Sequence, residues 1–159
     1  MACRWRRITG FSFLLFGSLP ATAAGAEPVC LNVQKTGAIA RYPISLGDKI
    51  DITFRHSIYG SEVEEQFRVT SQGFQLTELR YAEPRLVEFY GHESAANEDG
   101  RWVVRKLGTV LASLDLHVSR GASIAVVIGA EKPAVELNTL SEGRTRLTLS
   151  TCPRSDHGR

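Results

Sequence analysis

From residue 27 onward the sequence predicts an all-β protein, a single antiparallel β-sandwich or barrel of about nine to ten short strands. Short apolar runs recur along the chain, and turn sequences such as Thr36-Gly37, Ser71-Gln72-Gly73 and Glu142-Gly143 separate them. Apolar and polar residues alternate within the runs, as in strands with one buried face. No stretch has a convincing helical period, and there is no internal repeat, low-complexity tract or linker.

The alternation places the candidate strands in order. They are residues 29–34, 38–42, 49–56, 63–70, 74–81, 85–90, 102–105, 112–118, 123–128, 134–140 and 144–151. In the fifth, the apolar face switches between Leu76 and Leu79, which predicts a β-bulge near Thr77-Glu78. Residues 91–100 are polar and predict a loop, with one helical turn over residues 93–97 as an option.

The first 26 residues have the pattern of an export signal. A basic start is followed by an apolar stretch over residues 11–19 and by Ala24-Gly25-Ala26. We expect cleavage near Ala26 and a periplasmic location. The apolar stretch is short for a membrane span, and no lipid-attachment motif precedes Cys30, so no stable membrane anchor is expected. The expected organisation is a signal peptide (1–26), an all-β domain (27–152) and a disordered tail (153–159).

Removal of the signal changes the charge of the chain. The full sequence has 19 basic and 17 acidic residues. The signal carries Arg4, Arg6 and Arg7 and no acid, so the remaining chain has 16 basic and 17 acidic residues and a net charge of −1. Nucleic-acid binding is not expected, because the positive patch that dominates such binding is missing.

Two cysteines remain after the signal, Cys30 and Cys152. An even number in an exported protein favours a disulfide. Both lie on the non-core faces of the first and last strands by alternation, which suits a bridge between these strands. Two free thiols are the alternative, and a zinc site lacks the usual ligand spacing.

A β-hairpin over residues 54–67 carries the densest polar group. A four-residue loop, Tyr59-Gly60-Ser61-Glu62, sets His56 opposite Glu65 and Phe54 opposite Phe67. On the outer face it sets Arg55 opposite Gln66. We therefore expect His56 and Glu65 to form a cross-strand pair on the core side, where a carboxylate is costly unless it is paired. The pair could equally be purely structural, because buried polar groups are usually satisfied ones.

Residues 83–93 form a second polar stretch, in which a short strand is predicted over residues 85–90. It supplies Arg85, Glu88, Tyr90, His92 and Glu93, which form either a surface for a ligand or partner or a solvated edge. If its loop meets the hairpin tip, His56, Glu65, His92 and Glu93 would make a nitrogen and oxygen cluster suited to a divalent metal. This metal cluster is a lesser alternative, and no metal or cofactor is predicted.

Evidence for an enzyme is weak. His56 and Ser57 are adjacent, so in a strand they diverge and cannot act as a nucleophile and its base. The Gly-x-Ser-x-Gly motif is absent. A glycosidase would need two carboxyl groups at a set separation, which a sequence alone does not reveal.

The motifs Phe54-x-His56-Ser57, Val63-Glu64-Glu65-x-Phe67 and Gly73-Phe74-x-Leu76 resemble the family known as domain of unknown function 1850. The resemblance spans roughly residues 29–149. It implies a small exported all-β protein whose gene lies beside those of TAXI-type TRAP (tripartite ATP-independent periplasmic) transporters, with no established activity. The glycine-rich stretch of many members is replaced here by residues 88–93.

The sequence and the resemblance together predict a non-enzymatic accessory protein of a periplasmic uptake system. It would bind a transporter subunit, the substrate-binding protein or a small organic anion through His56, Ser57, Glu65 and the 85–93 stretch. Arg85 would face the anion, because a guanidinium fork suits carboxylates. The alternative is a metal-dependent or acid/base hydrolase acting on an envelope component, with His56 as base and Glu65 as its orienting group.

Overall fold

The computed structural model describes residues 28–35, 37–105, 107–118, 124–129, 135–136 and 143–152. The expected signal peptide and the expected C-terminal tail lie outside these residues. So do most of the strand predicted over residues 134–140 and the turns around residues 120 and 132.

Two antiparallel sheets form a β-sandwich, which confirms the predicted all-β class. The smaller sheet has the order β2 (Ala38–Ile44), β1 (Val29–Lys35), β12 (Gly143–Thr151) and β9 (Ser113–Val118). The larger sheet has the order β11 (Val135–Glu136), β10 (Ile124–Ile128), β3 (Lys49–Arg55), β4 (Glu62–Thr70), β5 (Gly73–Tyr81), β7 (Arg101–Arg105) and β6 (Ala96–Glu98). In addition, β8 (Val110–Leu111) pairs with β5. Two strands were not predicted, β6 and β8, which are only three and two residues long. The short β11 falls within the strand predicted over residues 134–140.

The main core lies between the two sheets. Alternate residues of each strand point inward, as the hydrophobic pattern predicts. The smaller sheet contributes Leu31, Val33, Ile44, Leu114, Val118 and Leu147, and the larger sheet contributes Ile50, Ile52, Phe67, Val69, Phe74, Ile124, Val126 and Ile128.

A second apolar cluster covers the rest of the larger sheet. There the helix α1 (Pro84–Phe89) packs Leu86 and Val87 against Val63, Leu79, Tyr81 and Val104. No helix in the described ranges is long and apolar enough to cross a lipid bilayer.

The predicted bulge in β5 is confirmed. Gln66 pairs with Glu78 and Phe67 pairs with Leu76, which leaves Thr77 as the extra residue. The Thr77 hydroxyl donates to the Gln66 carbonyl oxygen at 3.0 Å. The extra residue realigns the strand, so its apolar residues on both sides of the bulge face the core.

The strand predicted over residues 85–90 is wrong, because this stretch is the helix α1. Pro84 occupies the first turn, where its missing N–H costs nothing. At the other end Gly91 has φ +72°. The Gly91 N–H bonds to the Glu88 carbonyl and the His92 N–H to the Val87 carbonyl, both at 3.0 Å, which is a Schellman cap. The optional helical turn over residues 93–97 is also wrong, since β6 begins at Ala96.

The predicted register of the β3–β4 hairpin is wrong, because the loop lies at a different place in the chain. The loop is Ser57-Ile58-Tyr59-Gly60, two residues earlier than expected, and the His56 N–H bonds to the Ser61 carbonyl at 2.8 Å. Phe54 consequently pairs with Val63 and Arg55 with Glu62. Gly60 closes the turn at φ +68°, a conformation that favours glycine. The shift moves each partner by an even number of residues, so the inward faces remain as predicted.

The predicted disulfide is present. Cys30 and Cys152 are bonded across β1 and the end of β12, with their Cα atoms 4.9 Å apart. The Cys152 N–H also bonds to the Pro28 carbonyl at 2.8 Å. Cys30 is on the face opposite Leu31, as expected, but it is only 4% exposed.

Replacing both cysteines by serine is expected to lower the free energy of unfolding by up to about 5 kcal/mol. The bridge spans 122 residues, and a cross-link of that length removes much of the entropy of the unfolded chain. Urea unfolding of the oxidised protein and of the double variant measures the difference. The control is reductant, which should destabilise the wild type and leave the variant unchanged. Equal stability of the two oxidised proteins would contradict the prediction.

Candidate functional site

The tip of the β3–β4 hairpin and the helix α1 meet at one end of the larger sheet, around His56. We call the exposed and half-buried side chains there the tip surface and define it as Ile58, Tyr59, Arg85, Phe89 and Tyr90. The two polar stretches singled out in the sequence therefore do come together. They meet through a helix packed beside the hairpin and not through a strand.

His56 is the buried centre of this arrangement, with 7% of its surface exposed. Its Nδ1 atom accepts hydrogen bonds from the backbone N–H groups of Ile58 and Tyr59, both at 3.4 Å. An Nδ1 that accepts carries no hydrogen, which leaves Nε2 as the ring nitrogen that can donate. The imidazole therefore holds the turn from inside.

Aromatic rings surround the imidazole. The Phe89 ring lies edge-on at 4.9 Å between centroids, and the Tyr90 ring lies edge-on at 5.7 Å. The Tyr59 ring is stacked at 5.3 Å. Tyr59 and Phe89 also contact each other at 5.6 Å. Each such pair contributes about 0.5–1.5 kcal/mol beyond its buried area, so the rings tie the hairpin tip to α1.

A second set of contacts connects Tyr90 to the interior. Tyr90 stacks on Tyr81 with centroids 5.5 Å apart and an angle of 16°. The Tyr81 hydroxyl and His92 Nε2 are hydrogen-bonded at 2.9 Å. His92 thus joins the group as a partner of a core tyrosine, through the loop that follows α1.

Arg85 lies over the Tyr59 ring, with its guanidinium carbon 5.1 Å from the centroid. It also donates to the Glu83 carboxylate from Nε at 2.9 Å and from Nη2 at 2.5 Å. The positive charge of Arg85 is therefore compensated within the chain. This pairing argues against the expected role of Arg85 as the residue that faces an organic anion.

Glu65 is a charged residue in an otherwise apolar row. Across five neighbouring strands the row consists of Val126, Ile52, Glu65, Leu79 and Val104. The four aliphatic residues are buried. Burial raises the pKa of the Glu65 carboxyl, and no charge among the described residues lowers it again.

The expected His56–Glu65 pair is not formed across the strands. Glu65 is opposite Ile52, four residues before His56, whereas His56 is opposite Ser61. Tyr90 is a neighbour of both groups. Burial raises the pKa of the Tyr90 hydroxyl, and the nearby Glu65 charge raises it further. The same two causes, together with the Tyr90 charge, raise the pKa of Tyr81.

The remaining predicted site residues stay at the surface. Ser57, Glu88 and Glu93 are exposed and do not join the aromatic cluster. In the described part of the chain, no three histidine, cysteine, aspartate or glutamate residues are grouped to hold a metal ion. The alternative metal cluster of His56, Glu65, His92 and Glu93 is therefore not formed.

Three residues of the site were missed in the sequence: Tyr59, Tyr81 and Phe89. A helix signal would have found Phe89, because Pro84 and Gly91 stand at the positions typical of a helix start and stop. With a helix over residues 84–89, Leu86 and Val87 become its buried side. Phe89 and Tyr90 then lie at its end, beside the hairpin.

In comparisons with known proteins, no family model, no curated protein and no solved structure matches this chain. The resemblance to the domain of unknown function 1850 family therefore rests on the motif residues and stays a prediction.

Replacing His56 by phenylalanine is expected to lower the free energy of unfolding by about 1 kcal/mol. The variant keeps a ring among the aromatic neighbours but removes the acceptor of two turn N–H groups. Urea unfolding measures the change, and Ser57→Ala in the same turn is the control, expected within about 0.5 kcal/mol of wild type. A His56→Phe protein as stable as wild type would show that Nδ1 does not support the turn.

The Glu65→Gln variant is expected to become more stable than wild type as the pH rises, as measured by the free energy of unfolding. Below the ordinary pKa of 4.5 the carboxyl is protonated in both folded and unfolded chains. Above 4.5 the unfolded chain ionises first, so the wild type loses stability until the raised folded-state pKa is passed. Glutamine has no such loss.

Urea unfolding of both proteins at pH 4 and pH 7 checks this expectation. The matched control is Glu64→Gln, since Glu64 lies on the outward face opposite Thr53 and Arg80. The control should lack the gain at pH 7. A stability difference between Glu65→Gln and wild type that is the same at both pH values would contradict the interpretation.

Proposed function

We propose that this protein is an exported, non-enzymatic accessory protein of a periplasmic uptake system of the TAXI-type TRAP class. It acts by docking a protein component of the transporter on the tip surface. The membrane subunits or the substrate-binding protein are the partners that the resemblance favours.

The observation that carries this proposal is the exposed apolar character of the tip surface. Ile58 is 69% exposed, Phe89 49% and Tyr90 41%. Large exposed apolar side chains that are grouped and bordered by polar residues are typical of protein-binding sites. Aromatic residues and arginine are also the types that dominate binding energy at such interfaces.

Rigid support of these side chains fits a docking role. Tyr90 is stacked on the buried Tyr81, and Phe89 packs against His56. Side chains that are held before binding lose little conformational entropy when a partner covers them. A surface of this kind binds without a large rearrangement of the fold.

The polar groups of the site favour binding over catalysis. His56 Nδ1 supports the turn, and His92 Nε2 is bonded to Tyr81. The hydrolase alternative requires His56 to be oriented by Glu65, and the register opposes that pairing. The disulfide is consistent with an oxidising compartment, which supports the export part of the proposal.

Phe89→Asp is expected to abolish binding to the transporter component or weaken it at least about 30-fold, because a central aromatic contact contributes about 2 kcal/mol or more. Calorimetric titration of the purified chain with a TAXI-type substrate-binding protein, and with detergent-solubilised membrane subunits, gives the dissociation constants.

Ile39→Asp is the matched control. Ile39 is 51% exposed, close to the value for Phe89, but it lies on β2 of the smaller sheet. It should bind like wild type if the tip surface is the docking site. Equal losses for both variants would point to general hydrophobic adhesion, and absence of wild-type binding to either component would overturn the proposal.

A further inference from the structure

A surface cavity of about 300 Å³ lies at the end of the sandwich opposite the tip surface. Residues of both sheets line it. The turn between β4 and β5, residues 70–73, forms its side on the larger sheet, and residues 149–151 of β12 form its side on the smaller sheet. The nine residues of β4 separate it from the hairpin tip by about 25 Å. The cavity is therefore a different site from the tip surface.

The apolar part of the cavity wall is aliphatic. It consists of Val29, Leu46, Ala112 and Leu149. Val29 and Leu149 are partly buried and pack against the core between the sheets, whereas Leu46 and Ala112 are exposed. Among the described residues that line the cavity there is no aromatic ring. This wall suits a branched aliphatic group, which would cover apolar surface that now faces water.

The polar part of the wall carries hydrogen-bonding groups without charge. Ser71, Gln72 and Thr151 line the cavity, and their side chains have no hydrogen-bond partner among the described residues. Each hydroxyl or amide both donates and accepts. None of the described lining residues is an acid or a base. The wall therefore offers hydrogen bonds to a ligand but no opposite charge to an ion.

Local contacts hold the β4–β5 side of the cavity in place. The Thr70 hydroxyl donates to the Gly73 carbonyl at 3.0 Å and accepts from the Gln72 N–H at 3.2 Å. A side chain at Gly73 would collide with the Leu111 carbonyl, and its Cβ would be 3.1 Å from Ala112 Cα. Glycine thus lets the chain before β9 lie directly against the turn, which closes this side.

The side on the smaller sheet is held by the ends of β1 and β12. Val29 is directly opposite Thr151 in the register of the two strands. The next residues, Cys30 and Cys152, are joined by the disulfide, and the Cys152 N–H bonds to the Pro28 carbonyl at 2.8 Å. The cavity is therefore formed before any ligand arrives, as is usual for small-molecule sites.

We propose that this cavity binds a small neutral molecule that combines a branched aliphatic group with amide or hydroxyl groups. An ion would lose part of its hydration there without meeting an opposite charge. An apolar cavity of about 150 Å³ holds benzene, so the volume here suits a ligand of about twelve non-hydrogen atoms.

A ligand in this cavity would touch both sheets at once. It would connect the β4–β5 turn to the end of β12, two segments that no strand pairing joins in the described part of the chain. Because the unfolded chain has no such cavity, binding would stabilise the folded protein.

Titration of the isotope-labelled protein with N-acetyl-leucinamide, followed by amide NMR spectra, tests the proposal. This neutral probe has a branched aliphatic group, two amides and about the size of the cavity. We expect a dissociation constant on the order of a millimolar, with shifts confined to the amides of residues 71–73 and 149–151. N-acetyl-leucine is ionised at neutral pH and has the same size, and it should bind at least about fivefold more weakly.

Ala112→Leu fills the cavity and is expected to raise the dissociation constant at least about tenfold, because the added carbons take the place of the probe. Ala96→Leu is the matched control, since Ala96 is also an exposed alanine but lies on β6. It should change the dissociation constant less than about twofold. Thr151→Val keeps the shape of the wall but removes a hydroxyl, and it should weaken binding about threefold or more.

The Thr151→Val protein decides the question if Ala112→Leu does not fold. Absence of shifts at the cavity amides well above a millimolar of the neutral probe would overturn the proposal. Equal effects of Ala112→Leu and Ala96→Leu would also overturn it, since the probe would then bind elsewhere. Equal binding of the neutral and the ionised probe would contradict the assignment of a neutral ligand.

Discussion

The larger sheet presents more apolar surface than the smaller sheet covers, and this mismatch governs the rest of the structure. Between the sheets, alternate residues of β3, β4, β5 and β10 meet the inward residues of the smaller sheet. Beyond that contact, Val63, Leu79, Tyr81 and Val104 still need to be removed from water. Leu86 and Val87 of α1 supply the cover. Because α1 is held there by the core, the residues at its end lie beside the hairpin tip, and the cluster around His56 follows from that position.

Glu65 lies at the boundary between the inter-sheet core and the apolar cluster that α1 covers. Its row contains Ile52 and Val126, which belong to the inter-sheet core, and Leu79 and Val104, which pack with the helix cluster. A carboxylate in such a row is unfavourable when ionised, so its presence indicates that stability has been given up there. Tyr81 and Tyr90 both lie near it, which connects the protonation state of the interior to the side chains that support the tip surface.

The sequence was sufficient for the features that depend on period-two alternation and on local chain geometry. It predicted the all-β class, the inward faces of β3 and β4, the bulge near Thr77-Glu78 and the Cys30–Cys152 bridge. It did not predict the register of the β3–β4 hairpin, because alternation is unchanged when the loop moves by two residues. Gly60 and the acceptor on His56 select the loop, and that choice depends on a side-chain contact.

The helix was missed because six residues are too few for a clear period, although Pro84 and Gly91 mark both of its ends. The aromatic cluster depends on both of these features and was therefore only partly predicted.

The Cys30–Cys152 bond also has a mechanical consequence. Cys30 is the second residue of the first strand and Cys152 directly follows the last strand, and these residues are covalently joined on the smaller sheet. A pulling force applied to the flanking segments would therefore pass through the sulfur atoms and would not shear β1 from β12. The sheets, and with them the hairpin and helix of the larger sheet, would carry no load until that bond was reduced.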